Sequence, residues 1–299
     1  MTLIKDIVSD YQEYLEKTGK SDNTIKAYLH DVVSFVVWYE QTAGEEFSPG
    51  AVDPREITDY RGYLLQQGRS PATVNRRLVS LRRFFIWVKK KGATNDSPFE
   101  MLERVRVKEQ KDVSPRWLNR KEQLALLRAI RQGESERDLA IIQIMLGAGL
   151  RISEAAALKI KDIDINDRSG WVHVRLGKGM KARSIPLSLQ IRKSLQAYLD
   201  TYLEEGEGEL FQGQRGPLSE WGIHAIVKKY AYQARLEGVT AHTLRHSFAK
   251  NLVDAGTPLD QVATLLGHES LDTTRIYTQP SERDLERAVR SAAGEIVDR

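Results

Sequence analysis

Apolar residues recur at helical spacing along most of this 299-residue chain, and this periodicity restricts the possible folds more than any other feature. In the first part it predicts four helices, at about 3–18, 23–39, 54–67 and 71–91. Residues that commonly begin or end helices bound these segments, namely Gly19, Gly68 and the pair Ser70–Pro71. The first part of the chain is therefore predicted to be an all-helical domain.

The periodicity fades after Gly92, where polar, Gly and Pro residues accumulate, and it returns at Asn119. Most later segments again read as helices, at about 137–147, 153–160, 188–204, 219–236, 243–255 and 258–266. Two runs with strand character, 171–176 and 182–187, flank the turn GKGMK. We predict a mainly α protein: an all-helical N-terminal domain, a linker, and a mostly helical domain with a small antiparallel β-sheet, at 1–91, 92–115 and 116–299.

A local excess of positive charge accompanies the fourth predicted helix. The formal net charge of the chain is only +4, but the segment from Arg69 to Lys111 holds twelve Lys or Arg against four Asp or Glu. One face of the helix carries Arg76, Arg77, Arg82 and Arg83. Such a local surplus fits either a nucleic-acid binding surface or a solvated helix face followed by a charged linker.

The composition excludes several classes of protein. The chain has no cysteine, so disulfides, thiolate metal sites and cysteine nucleophiles are excluded. Its first residues, MTLIKDIVSDYQEYL, contain no signal-peptide core. The longest nearly apolar run, Leu139 to Leu150, is too short to span a bilayer. We therefore expect a soluble cytoplasmic protein with no membrane partner.

A cluster of cation-capable side chains precedes a late tyrosine in the run HTLRH…LLGH…TTRIY. It contains His242, Arg245, His268 and Tyr277. A phenol surrounded by cationic donors can attack a phosphate, whereas a metal or glycosidase site would need carboxylates. His242 and His246 have zinc-like spacing, but the glutamate of HExxH and a third ligand are missing. Taken alone, a tyrosine at this position is far more often a core or surface residue than a nucleophile.

Two cations upstream extend this pattern. Arg151 follows LGAGL, at the point where one predicted helix ends and the next begins, although a single arginine there could simply face solvent. Lys178 lies in the turn between the two predicted strands, where Gly177 and Gly179 permit close approach of a ligand. The turn is not a phosphate-binding GxxxxGK[ST] loop, and a basic hairpin tip is the alternative.

The ordered set of these motifs resembles the tyrosine recombinase (phage integrase) family, and most closely its short Xer-like members. The motifs are Arg151–Glu154 (RISE), Lys178 in a strand–GKG–strand hairpin, HTLRH, LLGH and finally Tyr277. The resemblance extends to the N-terminal segment SDNTIKAYLHDV. It implies a site-specific DNA recombinase that cuts and rejoins DNA through a 3′-phosphotyrosyl intermediate.

The resemblance also implies a role for each site residue. Tyr277 would be the nucleophile, and Arg151 and Arg245 would hold the phosphate. His242 would act as base or hydrogen-bond partner, His268 would contact the scissile phosphate, and Lys178 would protonate the leaving 5′-oxygen. Glu154 would support Arg151. The reaction would need no metal, no ATP and no other cofactor.

The expected partner is double-stranded DNA, with the basic helix contacting phosphates. The family further implies a homo-tetramer on DNA, formed alone or with a paralogous recombinase. The segment after Pro280 predicts a final helix that either docks on a neighbouring subunit or closes its own core. The expected roles are resolution of chromosome dimers or mobile-element cointegrates, and DNA integration. A type IB-like topoisomerase and a non-catalytic DNA-binding regulator are the alternatives.

Overall fold

The computed structural model describes residues 2–100, 102, 107, 115–175, 182–202, 208–268, 270–278 and 289–290. It divides into two compact units, Met1–Asp112 and Val113–Arg299. The predicted turn containing Lys178 and the predicted helix after Pro280 lie outside the described residues, apart from Val289 and Arg290.

The described part of the first unit is built from four helices. They are α1 (Thr2–Lys17), α2 (Asp22–Ala43), α3 (Pro54–Gln66) and α4 (Pro71–Lys90). Side chains before the later helices accept hydrogen bonds from the first turn: Ser21 caps α2, Asp53 caps α3 and Ser70 caps α4. The starts of α2, α3 and α4 therefore agree with the predicted ones, and the cap predicted at Ser70 is confirmed.

Aromatic rings fill the core of the first unit. Phe35 of α2 contacts Tyr60 of α3 and Phe85 of α4, with ring centroids 5.1 and 6.1 Å apart. Both pairs meet edge to face, which is a favoured geometry for aromatic rings. Phe99, from the segment predicted to be a linker, is also buried in this core. The packed part of the unit thus continues beyond α4.

The second unit is mostly helical. Its helices are α5 (Arg120–Gln132), α6 (Glu136–Ala148), α7 (Ile152–Ala156), α8 (Leu189–Tyr202), α9 (Glu220–Gln233), α10 (Ala241–Asp254), α11 (Leu259–Leu266) and α12 (Asp272–Arg275). Short 3₁₀ turns span Ile160–Asp162 and Ile276–Thr278. Because α6 is buried on nearly all sides, it forms the centre of the unit, and α8 and α10 pack against it.

A small antiparallel sheet lies beside these helices. Its strands β1 (Ile163–Ile165), β2 (Gly170–Val174) and β3 (Arg183–Pro186) are ordered β1-β2-β3, with Val172 opposite Ile185. Two further strands, β4 (Gln212–Gly213) and β5 (Gly216–Pro217), form a separate two-stranded ribbon. The predicted fold class, mainly α with a small antiparallel sheet, is confirmed, although β1 was not anticipated.

One predicted helix is wrong in extent. The segment 153–160 was expected to be helical throughout, but α7 ends at Ala156. The backbone of Lys159 instead forms a bridge with Glu209, and its N–H donates to the Asp162 carboxylate at 3.0 Å. These partners draw the chain away from helical geometry and lead it into β1. In the described part of the chain, every helix is too short or too polar to cross a membrane.

Candidate active site

Arg151 lies at the junction between α6 and α7. Gly149 ends α6 in the left-handed conformation with φ 62°, and a Cβ at this position would approach Phe248 to 2.2 Å. Glycine therefore permits both the turn and the close packing. Arg151 follows as the residue preceding α7, and its side chain is 29% exposed. The guanidinium is thereby placed at a helix break, as the sequence predicted, with part of its surface open.

Arg245 is buried almost completely. It lies on α10, and its guanidinium donates to the carbonyl of Gly149 at 2.7 Å and to that of Leu266 at 2.5 Å. Burial, assisted by the positive charge of Arg151, lowers its pKa to about 10. The side chain is therefore still a cation at neutral pH, held rigidly between the ends of α6 and α11.

A single carboxylate organises the arginines. Glu154 accepts two hydrogen bonds from Arg183, at 2.9 and 2.7 Å, and one from the Arg151 guanidinium at 2.9 Å. Arg245 lies 3.9 Å from the same carboxylate. Burial opposes ionisation of Glu154, but the hydrogen bonds from Arg183 and the Arg151 backbone outweigh it and hold its pKa below the usual range. Glu154 thus joins three cations from three different elements.

Arg183 is a member of this network that sequence reasoning missed. It lies on β3, where it also donates from Nε to the carbonyl of Leu265 at 2.8 Å. Alternation along the strand could have revealed it, because Arg183 shares a face with the buried Ile185. An arginine directed toward a core requires a carboxylate partner, and Glu154 is that partner.

His268 lies just beyond α11. Gly267 ends this helix with φ 64°, and its carbonyl accepts a hydrogen bond from Arg151 at 3.1 Å. The Nδ1 atom of His268 is 3.0 Å from the hydroxyl oxygen of Thr274. Burial, followed by the charges of Arg245 and Arg151, lowers the pKa of His268 to about 4. His268 is therefore a neutral imidazole beside both predicted phosphate-binding arginines.

Tyr277 lies in the 3₁₀ turn that follows α12, and its side chain is 1% exposed. It packs in a small apolar cluster with Phe248 and Leu266. Its hydroxyl oxygen is 2.6 Å from Nδ1 of His246. Burial raises the pKa of the phenol, and the opposing effect of Arg245 is smaller, so Tyr277 is protonated at neutral pH.

The partner of the phenol is thus His246, one helical turn after His242. Sequence reasoning considered His246 only as a possible zinc ligand. The rings of His242 and His246 meet edge to face, with centroids 4.2 Å apart. Burial lowers the pKa of His242, and Arg245 adds to the effect. Within the described residues, no group of three His, Asp or Glu side chains could hold a metal ion.

Five of the six predicted catalytic residues therefore lie in one described region: Arg151, His242, Arg245, His268 and Tyr277. The sixth, Lys178, falls within residues 176–181, outside the described residues. Their catalytic roles stay predictions at this stage.

The four arginines predicted to contact DNA lie on α4 of the first unit: Arg76, Arg77, Arg82 and Arg83. Two of them approach the buried carboxylate of Asp31, Arg76 at 2.5 Å and Arg77 at 3.6 Å. Arg76 nevertheless keeps 46% of its side chain exposed. The guanidinium of Arg83 lies 5.6 Å from the ring centroid of Tyr28, and Arg82 is exposed. A guanidinium has five N–H donors, so an ion-paired arginine can still contact a phosphate.

Acidification is expected to destabilise the protein through His246 and His268. The pKa of each is lowered to about 4, whereas an unfolded-chain imidazole has a pKa of about 6.5. Between these values the unfolded state binds more protons, so stability is lost as pH falls from about 6.5 toward about 4. Urea unfolding at several pH values in this window should show the loss of stability. The free energy of unfolding should fall less steeply with decreasing pH in His268→Asn. A free energy of unfolding that stays constant across this pH range would contradict the lowered pKa values of the two histidines.

Known families match both parts of the chain. A sequence model of the phage integrase family matches residues 116–283, and one of the phage integrase N-terminal SAM-like domain matches residues 7–94. Tyrosine recombinase XerC of Pediococcus pentosaceus is 31% identical, over 95% of this chain and 97% of that protein. Tyrosine recombinase XerA of Pyrococcus furiosus is 32% identical, over 97% of this chain and 95% of that protein.

Solved structures agree with this relationship. The crystal structure of the XerH site-specific recombinase bound to difH substrate, a pre-cleavage complex, is 27% identical with a TM-score of 0.70. The match covers 89% of this chain and 78% of that one. With the sequence matches, it confirms the predicted resemblance to the short Xer-like members, and the chain therefore belongs to the phage integrase family of tyrosine recombinases.

Proposed function

We propose that this protein is a site-specific recombinase that transfers a DNA phosphodiester onto Tyr277, giving a 3′-phosphotyrosyl link and a free 5′-hydroxyl. The observation that carries the proposal is the environment of the Tyr277 phenol. Its oxygen contacts a neutral imidazole, and the positive charge of the buried Arg245 acts to lower the pKa of the phenol. A nucleophile, a proton-accepting ring and fixed positive charge are the parts that phosphoryl transfer requires.

The two arginines of the predicted site suit the charge of the transition state. Attack on the phosphodiester increases negative charge on the non-bridging oxygens, and guanidinium groups stabilise such oxygens through charge-assisted hydrogen bonds. Arg245 is fixed by two carbonyls, and Arg151 is fixed by Glu154 and Gly267. His268 lies beside both and can donate from its ring to the same phosphate. Lys178 is proposed to protonate the leaving 5′-oxygen.

The proposed reaction uses neither ATP nor a resident metal. The phosphotyrosyl ester conserves the energy of the broken bond, so a second 5′-hydroxyl can reseal the strand. Positive charge that a divalent ion provides in many phosphoryl-transfer enzymes comes here from arginines. The carboxylate of Glu154 lies in the proposed site, where it serves as the counter-ion of three neighbouring arginines.

A nicked suicide duplex carrying the target sequence tests the proposal. Cleavage releases a short strand, so the covalent protein–DNA adduct accumulates and can be resolved on a denaturing gel. An adduct stable to denaturation is expected, and its absence on a bound target would favour a non-catalytic regulator. Joining of two separate duplexes identifies a recombinase, whereas relaxation of supercoils without joining identifies a topoisomerase.

The first unit is proposed to supply most of the non-specific affinity for double-stranded DNA through α4. The proposed division of the chain is a DNA-binding domain at 1–91, a connecting segment at 92–115 whose Phe99 packs into the core of the first unit, and a catalytic domain at 116–299. The four α4 arginines would neutralise phosphates and release counter-ions, which makes binding dependent on salt. We place the protein in the cytoplasm, with chromosomal or plasmid DNA as its partner.

Replacing Arg82 with alanine is expected to weaken binding to all duplexes about equally. The slope of log affinity against log salt concentration should fall in magnitude by about one, because one phosphate contact is lost. Binding titrations at several salt concentrations measure this slope. Lys17→Ala is the control, since Lys17 is exposed on α1 and paired with Glu13. An unchanged slope for Arg82→Ala would remove Arg82 from the proposed binding surface.

The proposed assembly on DNA is a homo-tetramer, with or without a paralogous recombinase, that resolves chromosome dimers or mobile-element cointegrates. Integration of mobile DNA would use the same chemistry. The segment after Pro280 is proposed to dock on the neighbouring subunit. This assembly and these roles rest on the relationship to XerC and XerA.

A further inference from the structure

We propose that His246, in addition to the six residues named above, acts directly in catalysis by accepting the proton of Tyr277 as the phenol attacks the phosphate. The inference rests on the proposed function and assigns the proton of that reaction to a particular atom. It differs from the role of base or hydrogen-bond partner that the family resemblance implies for His242.

The geometry points to His246 directly. Its Nδ1 atom lies 2.6 Å from the Tyr277 hydroxyl oxygen, within the distance at which a general base removes a proton. The two ring centroids are 5.4 Å apart with the planes tilted by 54°. His242 lies one turn earlier on α10 and contacts the ring of His246 edge to face. Along α10, the imidazole that contacts the phenol is therefore His246.

Burial and the groups around His246 keep the ring neutral. His242 and Arg245 face it from α10, His268 faces it from the end of α11, and Tyr277 faces it from the 3₁₀ turn. Burial, followed by the effects of His242, Arg245 and His268, lowers the pKa of His246 to about 4. A neutral imidazole has one nitrogen lone pair, and the phenolic O–H is the donor placed to fill it. The ring is therefore ready to accept a proton throughout the neutral range.

In the resting enzyme the proton stays on the phenol, because the pKa of Tyr277 is raised and that of His246 is lowered. The relative proton affinities of the phenol and the imidazole change during attack. As the Oη–phosphorus bond forms, the remaining proton on Oη becomes strongly acidic, and negative charge on the phosphate stabilises an imidazolium nearby. Proton transfer therefore accompanies attack and does not precede it.

The bonds and protons balance in both directions. In cleavage the Oη–H bond breaks, Nδ1–H and Oη–P form, and the P–O5′ bond breaks, while Lys178 is proposed to supply the proton to the leaving 5′-oxygen. In rejoining, the 5′-hydroxyl attacks phosphorus and returns its proton to the same amine. The phenol then leaves and recovers its proton from His246. Each cycle restores the neutral ring.

His246→Phe tests the inference because phenylalanine keeps an aromatic ring but lacks the nitrogen. We expect adduct formation on the suicide duplex to slow by about 10²- to 10⁴-fold, the usual effect of losing a general base. His246→Asn is the second variant: its amide can hold the phenol by a hydrogen bond but cannot take the proton. His173→Phe is the control, since His173 is exposed on β2 and bonded to Ser184.

The pH profile separates proton acceptance from a structural role. Adduct formation by the unmodified protein should depend little on pH from neutral to mildly alkaline conditions, because the acceptor is already neutral. In both His246 variants the rate should rise with pH, since hydroxide must then remove the phenolic proton. Placing 3-fluorotyrosine at position 277 makes the phenol more acidic. It should speed the His246→Phe variant severalfold and leave the unmodified protein nearly unchanged.

Three results would overturn the inference: an unchanged rate in His246→Phe, a slow rate with the pH profile of the unmodified protein, or no gain from 3-fluorotyrosine. If the phenylalanine variant does not fold, the asparagine variant provides the same pH comparison. Failure of the unmodified protein to form any adduct on a bound target would instead contradict the proposed recombinase activity, and it would be seen before any variant is compared.

Discussion

Replacing Tyr277 with phenylalanine is expected to abolish the covalent adduct with DNA and to leave DNA binding nearly unchanged. The substitution removes one oxygen from a side chain that is 1% exposed, so the ring should keep its contacts with Phe248 and Leu266. Without the hydroxyl, the polypeptide has no group at this position that can attack phosphorus. A loss beyond the detection limit is therefore expected on the suicide duplex.

Tyr198→Phe is the matched control for this experiment. Tyr198 is equally buried, and its hydroxyl accepts a hydrogen bond from the backbone of Gln212 at 3.1 Å. The Tyr198→Phe variant therefore loses a buried phenolic oxygen outside the arginine cluster. This should cost about 1 kcal/mol of stability and leave adduct formation unchanged. An adduct that survives Tyr277→Phe would show that another residue is the nucleophile.

Glu154→Ala is expected to lower the free energy of unfolding by about 3–5 kcal/mol, the range measured when one partner of a buried ion pair is removed. Glu154 and Arg183 are 5% and 6% exposed, so the remaining guanidinium charges would face each other with little solvent. Adduct formation should fall as well, since Arg151 loses the carboxylate that fixes it and Arg245 loses a counter-ion 3.9 Å away. Urea-induced unfolding and the suicide duplex measure the two effects.

Glu122→Ala provides a control with the same local geometry. Glu122 also accepts a hydrogen bond from the backbone N–H that precedes its helix, and it also pairs with an arginine, Arg116. Its side chain is 23% exposed and Arg116 is 40% exposed, so the expected loss is about 1 kcal/mol or less. Similar losses for the two variants would mean that burial of the Glu154 network contributes little.

The helices could be predicted because their signals are local. The stripe of α4 and its Ser70 cap lie within a few turns of each other, and the structure places the helix at Pro71–Lys90. The hairpin strands were also anticipated, since β-type runs flank a glycine turn. The end of α7 was not, because the bridge between Lys159 and Glu209 joins residues 50 positions apart. Periodicity carries no information about such a partner.

In the candidate site, too, local sequence predicts some features, whereas others depend on residues distant in the chain. Motif order was sufficient to predict Arg151, Arg245 and Tyr277 as site residues, but it did not reveal what each of them contacts. Arg183 meets Glu154 across 29 positions, and Arg245 meets Gly149 across 96. His246 was considered only as a metal ligand, an interpretation that failed for want of further ligands, whereas the fold turns it toward a phenol 31 positions later. These pairings arise from tertiary packing.

The two carbonyls that hold Arg245 also affect the thermodynamics of DNA binding. A free arginine side chain loses roughly 2 kcal/mol of rotamer entropy when it is immobilised on a ligand. Arg245 is already immobilised by the ends of α6 and α11, so its rotamer entropy is lost during folding and not during DNA binding. The contact proposed between Arg245 and an incoming phosphate should then be enthalpically favourable without a matching entropic loss. The proposed phosphate-binding geometry is thus preorganised, which should leave more of the binding energy for stabilising the transition state.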